Sequence, residues 1–116
     1  MYIGSMRIAT PIYFCKENKM DETRRTFILK QADEIVNKDR QNNYGKPENN
    51  FRDIGIMWGI ILGVEPIPPY TVANMMIALK LARSKNSPFY LDNYIDIAGY
   101  AACAGECAWN EDEKND

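Results

Sequence analysis

Histidine is absent from all 116 residues. That removes imidazole general acid–base chemistry, His-assisted nucleophiles and most transition-metal sites at once. Cysteine is scarce: three residues, Cys15, Cys103 and Cys107, with no CxxC pair. An odd, unpaired set of this kind argues against a disulfide framework and against a thiolate zinc site. Cys103 and Cys107 stand four apart on a candidate helix and read as small core residues of a reducing compartment. No apolar run approaches the ~20 residues of a membrane span, and the N-terminus lacks the continuous apolar stretch and small-residue cleavage site of a signal peptide. Charge of one sign is also lacking. The net charge is −2, so no global field favours nucleic acid or an anionic membrane surface.

What is present fits one compact globular unit. The chain is 46% hydrophobic and 26% charged, ordinary values for a folded domain of this length. Residues 1–19, "MYIGSMRIATPIYFCKENK", hold no helical period, and Pro11 interrupts their β-branched and aromatic residues. We expect an irregular, dispensable arm there, an all-α domain over residues 20–110, and a solvated acidic tail over 111–116.

Four helices are predicted inside the domain. The first runs from about Asp21 to Asn37, with Ile28, Leu29, Ala32, Ile35 and Val36 on one apolar face. The second starts at the capping residues Asn49 or Asn50 and stops at Gly63, with Phe51, Ile54, Met57, Trp58, Ile61 and Leu62 as its apolar positions. "VEPIPPY" is a stiff connector with Pro66, Pro68 and Pro69. The third helix, "VANMMIALKLARSK", is capped by Thr71 and ends before Asn86. It is apolar on nearly every side, the mark of a buried helix. The fourth covers about Tyr90 to Asn110. Four helices on short loops give an all-α, four-helix bundle-like fold.

Two stretches carry chemistry. In the fourth helix Asp92, Asp96, Gly99, Cys103 and Glu106 fall within about 80° of one another at 100° per residue. Three carboxylates on a stripe of otherwise small residues suit either a solvated face or a polar cavity. In a cavity they would meet a cation or basic side chains. Lys80, in the middle of the apolar third helix, is a candidate partner: a lysine without an exposed face is costly unless paired, so it either snorkels to the surface, pairs with Asp92 or Asp96, or reaches a ligand phosphate. Arg83 lies one turn further on. The second stretch is "DRQNNYGKPENNF", residues 39–51, where Arg40, Tyr44, Gly45 and Lys46 lead into a helix N-terminus. Such a start favours an anion, and Tyr44 offers a ring for stacking.

The ordered set "DRQNNYGKPENNF", Trp58, Leu62–Gly63, "VANMMIALKLAR" and "YIDIAGYAA" resembles a family of small phage and prophage proteins of uncharacterised function, over about residues 28–106. More distantly, "DNYIDIAGYAA" is similar to the metal-binding half of the all-α MazG-type nucleoside triphosphate pyrophosphohydrolases, which hold Mg²⁺ with Glu and Asp on two helices. That second resemblance implies Asp92 and Asp96 as metal ligands with Glu34 as their match on the first helix. The glutamate-dense motif of those enzymes is missing; "ADEIV" stands in its place.

The reading that follows is a phage protein, in the host cell cytoplasm, that binds and sequesters a phosphate-bearing small molecule such as a nucleotide or nucleotide-derived defence signal. No cofactor is needed for that. Arg40, Tyr44, Lys46, Lys80, Arg83 and Asp96 are its candidate ligand-binding residues. The alternative is a Mg²⁺-dependent pyrophosphohydrolase using Asp92, Asp96 and Glu34; a third is a protein-interaction inhibitor of a host enzyme. Six methionines, two tryptophans and the all-round apolar third helix further predict a homo-oligomer.

Overall fold

A computed structural model describes residues 22–39, 42–43 and 45–115. The N-terminal arm, Arg40 and Tyr44 lie outside them. The described residues are all-α, with no strand, and form a single domain. Its helices are α1 (Arg24–Glu34), α2 (Pro47–Leu62), α3 (Pro69–Asn86) and α4 (Leu91–Lys114).

The boundaries differ from the sequence expectations for local reasons. α1 starts after Thr23, whose hydroxyl accepts from the Thr26 N–H at 3.1 Å. After Glu34 the backbone widens into a π-helical turn, Ile35–Asp39, which keeps Ile35 in the core. Leu29, expected on the apolar face, is exposed, because it falls at the edge of the stripe defined by Ile28, Ala32 and Ile35. α2 begins at Pro47 rather than Asn49, and α3 at Pro69 rather than after Thr71. Proline at the first helical position loses no hydrogen bond and arrives with helical φ, so it starts both helices without a side-chain cap. α4 continues one turn past Asn110 into the acidic residues.

That extra turn is held by Glu48 at the start of α2. Its carboxylate accepts from Lys114 Nζ at 3.0 Å and from Asn110 Nδ2 at 3.3 Å, with Arg52 at 3.5 Å. The Lys114 hydrogen bond is the main reason the Glu48 carboxyl titrates below the ordinary glutamate range. Asn110 and the nearby charges of Lys114 and Arg52 add to the effect against a partial burial that opposes it.

Two glycines let the prolyl connector fold back along α2. Gly63 caps the helix at φ 72°, a left-handed conformation that an L side chain adopts only with strain. Gly55 lies under the connector: its carbonyl accepts from the Ile67 N–H at 3.1 Å, and a Cβ on it would stand 1.9 Å from the Ile67 carbonyl oxygen.

The core gathers Ala32 and Ile35 from the first segment, Phe51 from α2, Val72, Ala73 and Met76 from α3, and Ile95, Tyr100, Cys103 and Cys107 from α4. The Phe51 and Tyr100 rings meet tilted, with centroids 6.2 Å apart. The α3–α4 pair is the most extensive helix contact in the fold. α3 is nevertheless not buried all round: Met75 and Leu81 are exposed, because its apolar residues outnumber the neighbours available to cover them.

Candidate functional site

α3 and α4 are joined by only four residues, Ser87 to Tyr90, so they run back to back with the loop closing one end. The Ser87 N–H donates to the Arg83 carbonyl at 3.1 Å, the Tyr90 N–H to the Ser87 carbonyl at 3.2 Å, and the Tyr94 hydroxyl to the Pro88 carbonyl at 2.7 Å. These bonds fix the elbow and set the last turn of α3 against the first turns of α4.

Across this pair Lys80 Nζ meets Asp96 Oδ2 at 2.8 Å, with the lysine 3% and the aspartate 1% exposed. Lys80 is one of the most deeply buried residues of α3 despite its charge, because α4 offers it a carboxylate rather than a route to solvent. Asp92, one turn before Asp96, is equally buried. It lies in the first turn of α4, where the positive end of the helix dipole favours a carboxylate.

The two aspartates, Lys80, Asn93 and Tyr90 line a cavity of about 360 Å³, with Arg83, Asn86 and Ser87 completing its wall. The lining holds two cations and two carboxylates, two amides, a hydroxyl and a phenol. Asp96 offsets Lys80. Arg83 is exposed and enters no ion pair among the described residues, so its guanidinium is the cation with capacity left for an anion. The arrangement therefore suits a molecule with one anionic group and several hydrogen-bonding groups better than it suits a bare ion.

Of the residues read from the sequence, the structure brings Lys80, Arg83, Asp92 and Asp96 together. The acidic stripe of α4 divides: Asp92, Asp96, Gly99 and Cys103 are buried, but Glu106 is exposed, because it falls at the edge of the buried face that Asp96, Cys103 and Cys107 define. Glu106 instead borders a shallow hollow of about 600 Å³ beside Trp109 and Glu113. Lys46 is exposed at the start of α2. Glu34 is exposed on α1, where it pairs with Lys38 at 3.2 Å. Among the described residues no three acidic or thiol side chains converge as a metal cage requires, and Glu34 does not join Asp92 and Asp96. The sequence reading missed Asn86, Ser87, Tyr90 and Asn93. Their signal was the elbow "NSPFYLDN" itself: a tight turn beside two carboxylates gathers whatever polar residues it contains around them.

The chain belongs to the DUF6378 family, a domain of unknown function, which matches residues 27–108. It is similar to the Gene 55 protein of Mycobacterium phage D29, 41% identical over 76 residues that cover 66% of this chain and 50% of that protein. It is also similar to the Gene 55 protein of Mycobacterium phage L5, 38% identical over 87 residues, or 75% of this chain and 56% of that one. The chain thus spans about half the length of the curated relatives it matches. No solved structure matches it. No helix among the described residues is long and apolar enough to cross a membrane.

Proposed function

We propose that this phage-family protein binds a phosphate-bearing small molecule, of the nucleotide class, in the cavity between α3 and α4, and holds it without turnover. The observation that carries the reading is the Lys80–Asp96 pair: two charges almost wholly removed from water, 2.8 Å apart, on the wall of a cavity rather than sealed in the core. Buried ion pairs are commonly no better for stability than apolar residues of the same volume. A fold that keeps one beside a cavity, next to a second buried carboxylate, carries an arrangement whose use is recognition. The cavity volume lies near the lower end of small-molecule sites, about 300–1,000 Å³.

In this reading Arg83 takes the phosphate at the open side, as a guanidinium does with two parallel N–H donors. Ser87 and Asn86 extend that polar rim, and the Tyr90 ring offers a face for a base. Asp92 and Asn93 read hydroxyl or amine donors deeper in. Lys80 and Asp96 fix the floor and exclude partners that carry an unmatched charge. Lys46, two residues before Glu48, stands at the start of α2, which bonds Asn110 and Lys114 at the far end of α4 from this cavity, and it is not among the lining residues; Arg40 and Tyr44 lie outside the described residues. For a phage protein in the host cytoplasm, sequestering a nucleotide-derived defence signal is a job that fits such a site.

A Mg²⁺-dependent pyrophosphohydrolase would use the same Asp92 and Asp96, and would require Asp96 to exchange Lys80 for a cation. The deciding experiment is a thermal-shift screen of mono-, di-, tri- and cyclic nucleotides in EDTA and again in Mg²⁺, with chromatography of every hit. The binding reading expects stabilisation in EDTA and unchanged ligand. A product that forms only with Mg²⁺ replaces it with the enzyme. No stabilisation by any nucleotide in either condition removes both and leaves protein–protein inhibition.

A further inference from the structure

Asn93 is a polar side chain that the fold itself does not use. It is 3% exposed, yet among the described residues its carboxamide makes no hydrogen bond. Most buried polar side-chain atoms have a partner, because burying one without a partner costs the desolvation of the group. The local use of an asparagine at this place is closed. Asn93 is the third residue of α4, from which a side chain can reach back to the N–H of the capping residue. That N–H, on Tyr90, donates instead to the Ser87 carbonyl at 3.2 Å, and α4 starts without a side-chain cap. Asn93 lines the cavity, together with Asp92 and Asp96. At 100° per residue the three span about 100° of the helix surface, with Asp96 between the other two. Lys80 holds Asp96. The ion pair is thus flanked by a carboxylate, which only accepts, and by an amide, which offers one oxygen and two N–H donors.

We infer that Asn93, with Asp92 beside it, selects the base of the nucleotide, and that the base is guanine. The inference rests on the nucleotide reading of the cavity and deepens it. A base set against this wall meets the Asp92 carboxylate and the Asn93 amide together, so it must give N–H donors to the first and an acceptor to the second. Guanine carries O6, N1–H and the N2 amine in a row on one edge: one acceptor followed by two donors. The carboxylate accepts from N1–H and from the amine, and the Asn93 N–H donates to O6. Adenine and cytosine each offer one amine, and the ring nitrogen next to it turns a lone pair toward the carboxylate. Uracil sets its one N–H between two carbonyl oxygens. Among the four bases only the guanine edge gives a carboxylate two adjacent donors and still leaves an acceptor for the amide.

Calorimetric titration in EDTA tests this, with the 5′-mono- and triphosphates of guanosine, adenosine, cytidine and uridine as probes. The wild-type protein should bind the guanine nucleotides about tenfold or more tighter than the others. Inosine triphosphate, which lacks the N2 amine, should bind more weakly than GTP. Asn93→Ala should lower GTP affinity about tenfold or more, while the free variant melts at or above the wild-type temperature, because no protein hydrogen bond is lost and alanine favours the helix. Asn93→Asp, which turns an acceptor toward O6, should lose GTP as well. Preference for another base, equal binding of inosine triphosphate and GTP, or GTP affinity unchanged in Asn93→Ala or in Asn93→Asp overturns the proposal and leaves the nucleotide reading standing. An Asn93→Ala protein that melts lower or does not fold reveals a structural use of the amide and overturns it too. No binding by any of the probes removes this proposal together with the nucleotide reading.

Discussion

Replacing Lys80 with methionine keeps most of the side chain's unbranched length and removes its charge. Asp96, 1% exposed, then loses the ammonium 2.8 Å away while its carboxylate stays buried. Breaking a buried pair from one side costs about 3–5 kcal/mol. Against a total stability of roughly 5–15 kcal/mol for a domain this size, that is a large share. With a urea m-value of about 1–3 kcal/mol/M, the midpoint falls by roughly 1–5 M. Lys80→Met combined with Asp96→Leu should behave differently. The carboxylate no longer has to be desolvated, and the neighbouring cavity has room for the added methyl groups. Apolar replacement of a whole buried pair is often neutral or stabilising, so the double variant should regain at least half of the loss. Urea unfolding followed by circular dichroism, completed as a double-mutant cycle, measures the coupling. A single variant that costs less than about 1 kcal/mol, or a double variant whose loss equals the sum of the two singles, would refute the reasoning. Either result would mean that the charges are not held against one another in the folded state.

Other consequences are independent of that pair. Arg83→Ala should weaken nucleotide binding by about 1.5–3 kcal/mol, the range of a charge-assisted hydrogen bond, and leave the melting temperature of the free protein unchanged, because Arg83 is exposed; calorimetry reads both. Gly55→Ala should destabilise by about 1–3 kcal/mol or more, because the added methyl collides with backbone rather than with a movable side chain; a urea melt showing no loss would place the connector elsewhere. Glu48→Gln should cost about 0.2–1 kcal/mol at pH 7. The Glu48 carboxyl titrates lower folded than unfolded, so its contribution is present above the ordinary glutamate pKa and fades as pH falls through the lower folded value. The gap between Glu48→Gln and wild type should therefore close toward pH 3, and a gap that widens there contradicts the assignment.

The helices were legible because their apolar spacing is regular and their ends carry glycine or proline. Asn49 and Thr71, good side-chain caps, mark starts that come too late, whereas proline at the first position opens α2 and α3. Lys80 was legible from its isolation in "MMIALKLA", and its partner from the spacing of Asp92 and Asp96, since a buried lysine needs a carboxylate within reach. Glu106 misled because an 80° stripe on a helix is wide enough for one edge to face the core and the other solvent, and only the packed neighbours show which. The closeness of the connector to Gly55 and Gly59 was not legible: a glycine in a helix looks like a weak point until the chain that crosses it is known. The aliphatic outer face of α2 was hidden in the same way. Met57, Ile61 and Leu62 count among the apolar positions of this helix in the sequence, yet they are exposed, because apolar spacing does not show how many elements cover the helix.

The cavity between α3 and α4 is tested most directly by isothermal titration of the best nucleotide hit into wild type and into Arg83→Ala, both in EDTA, with the ligand recovered afterwards by chromatography. Binding at the cavity predicts saturable heat for wild type, a loss of about 1.5–3 kcal/mol in affinity for Arg83→Ala, and recovery of the nucleotide intact. Equal affinity for the two proteins, or no nucleotide that binds wild type at all, would contradict it.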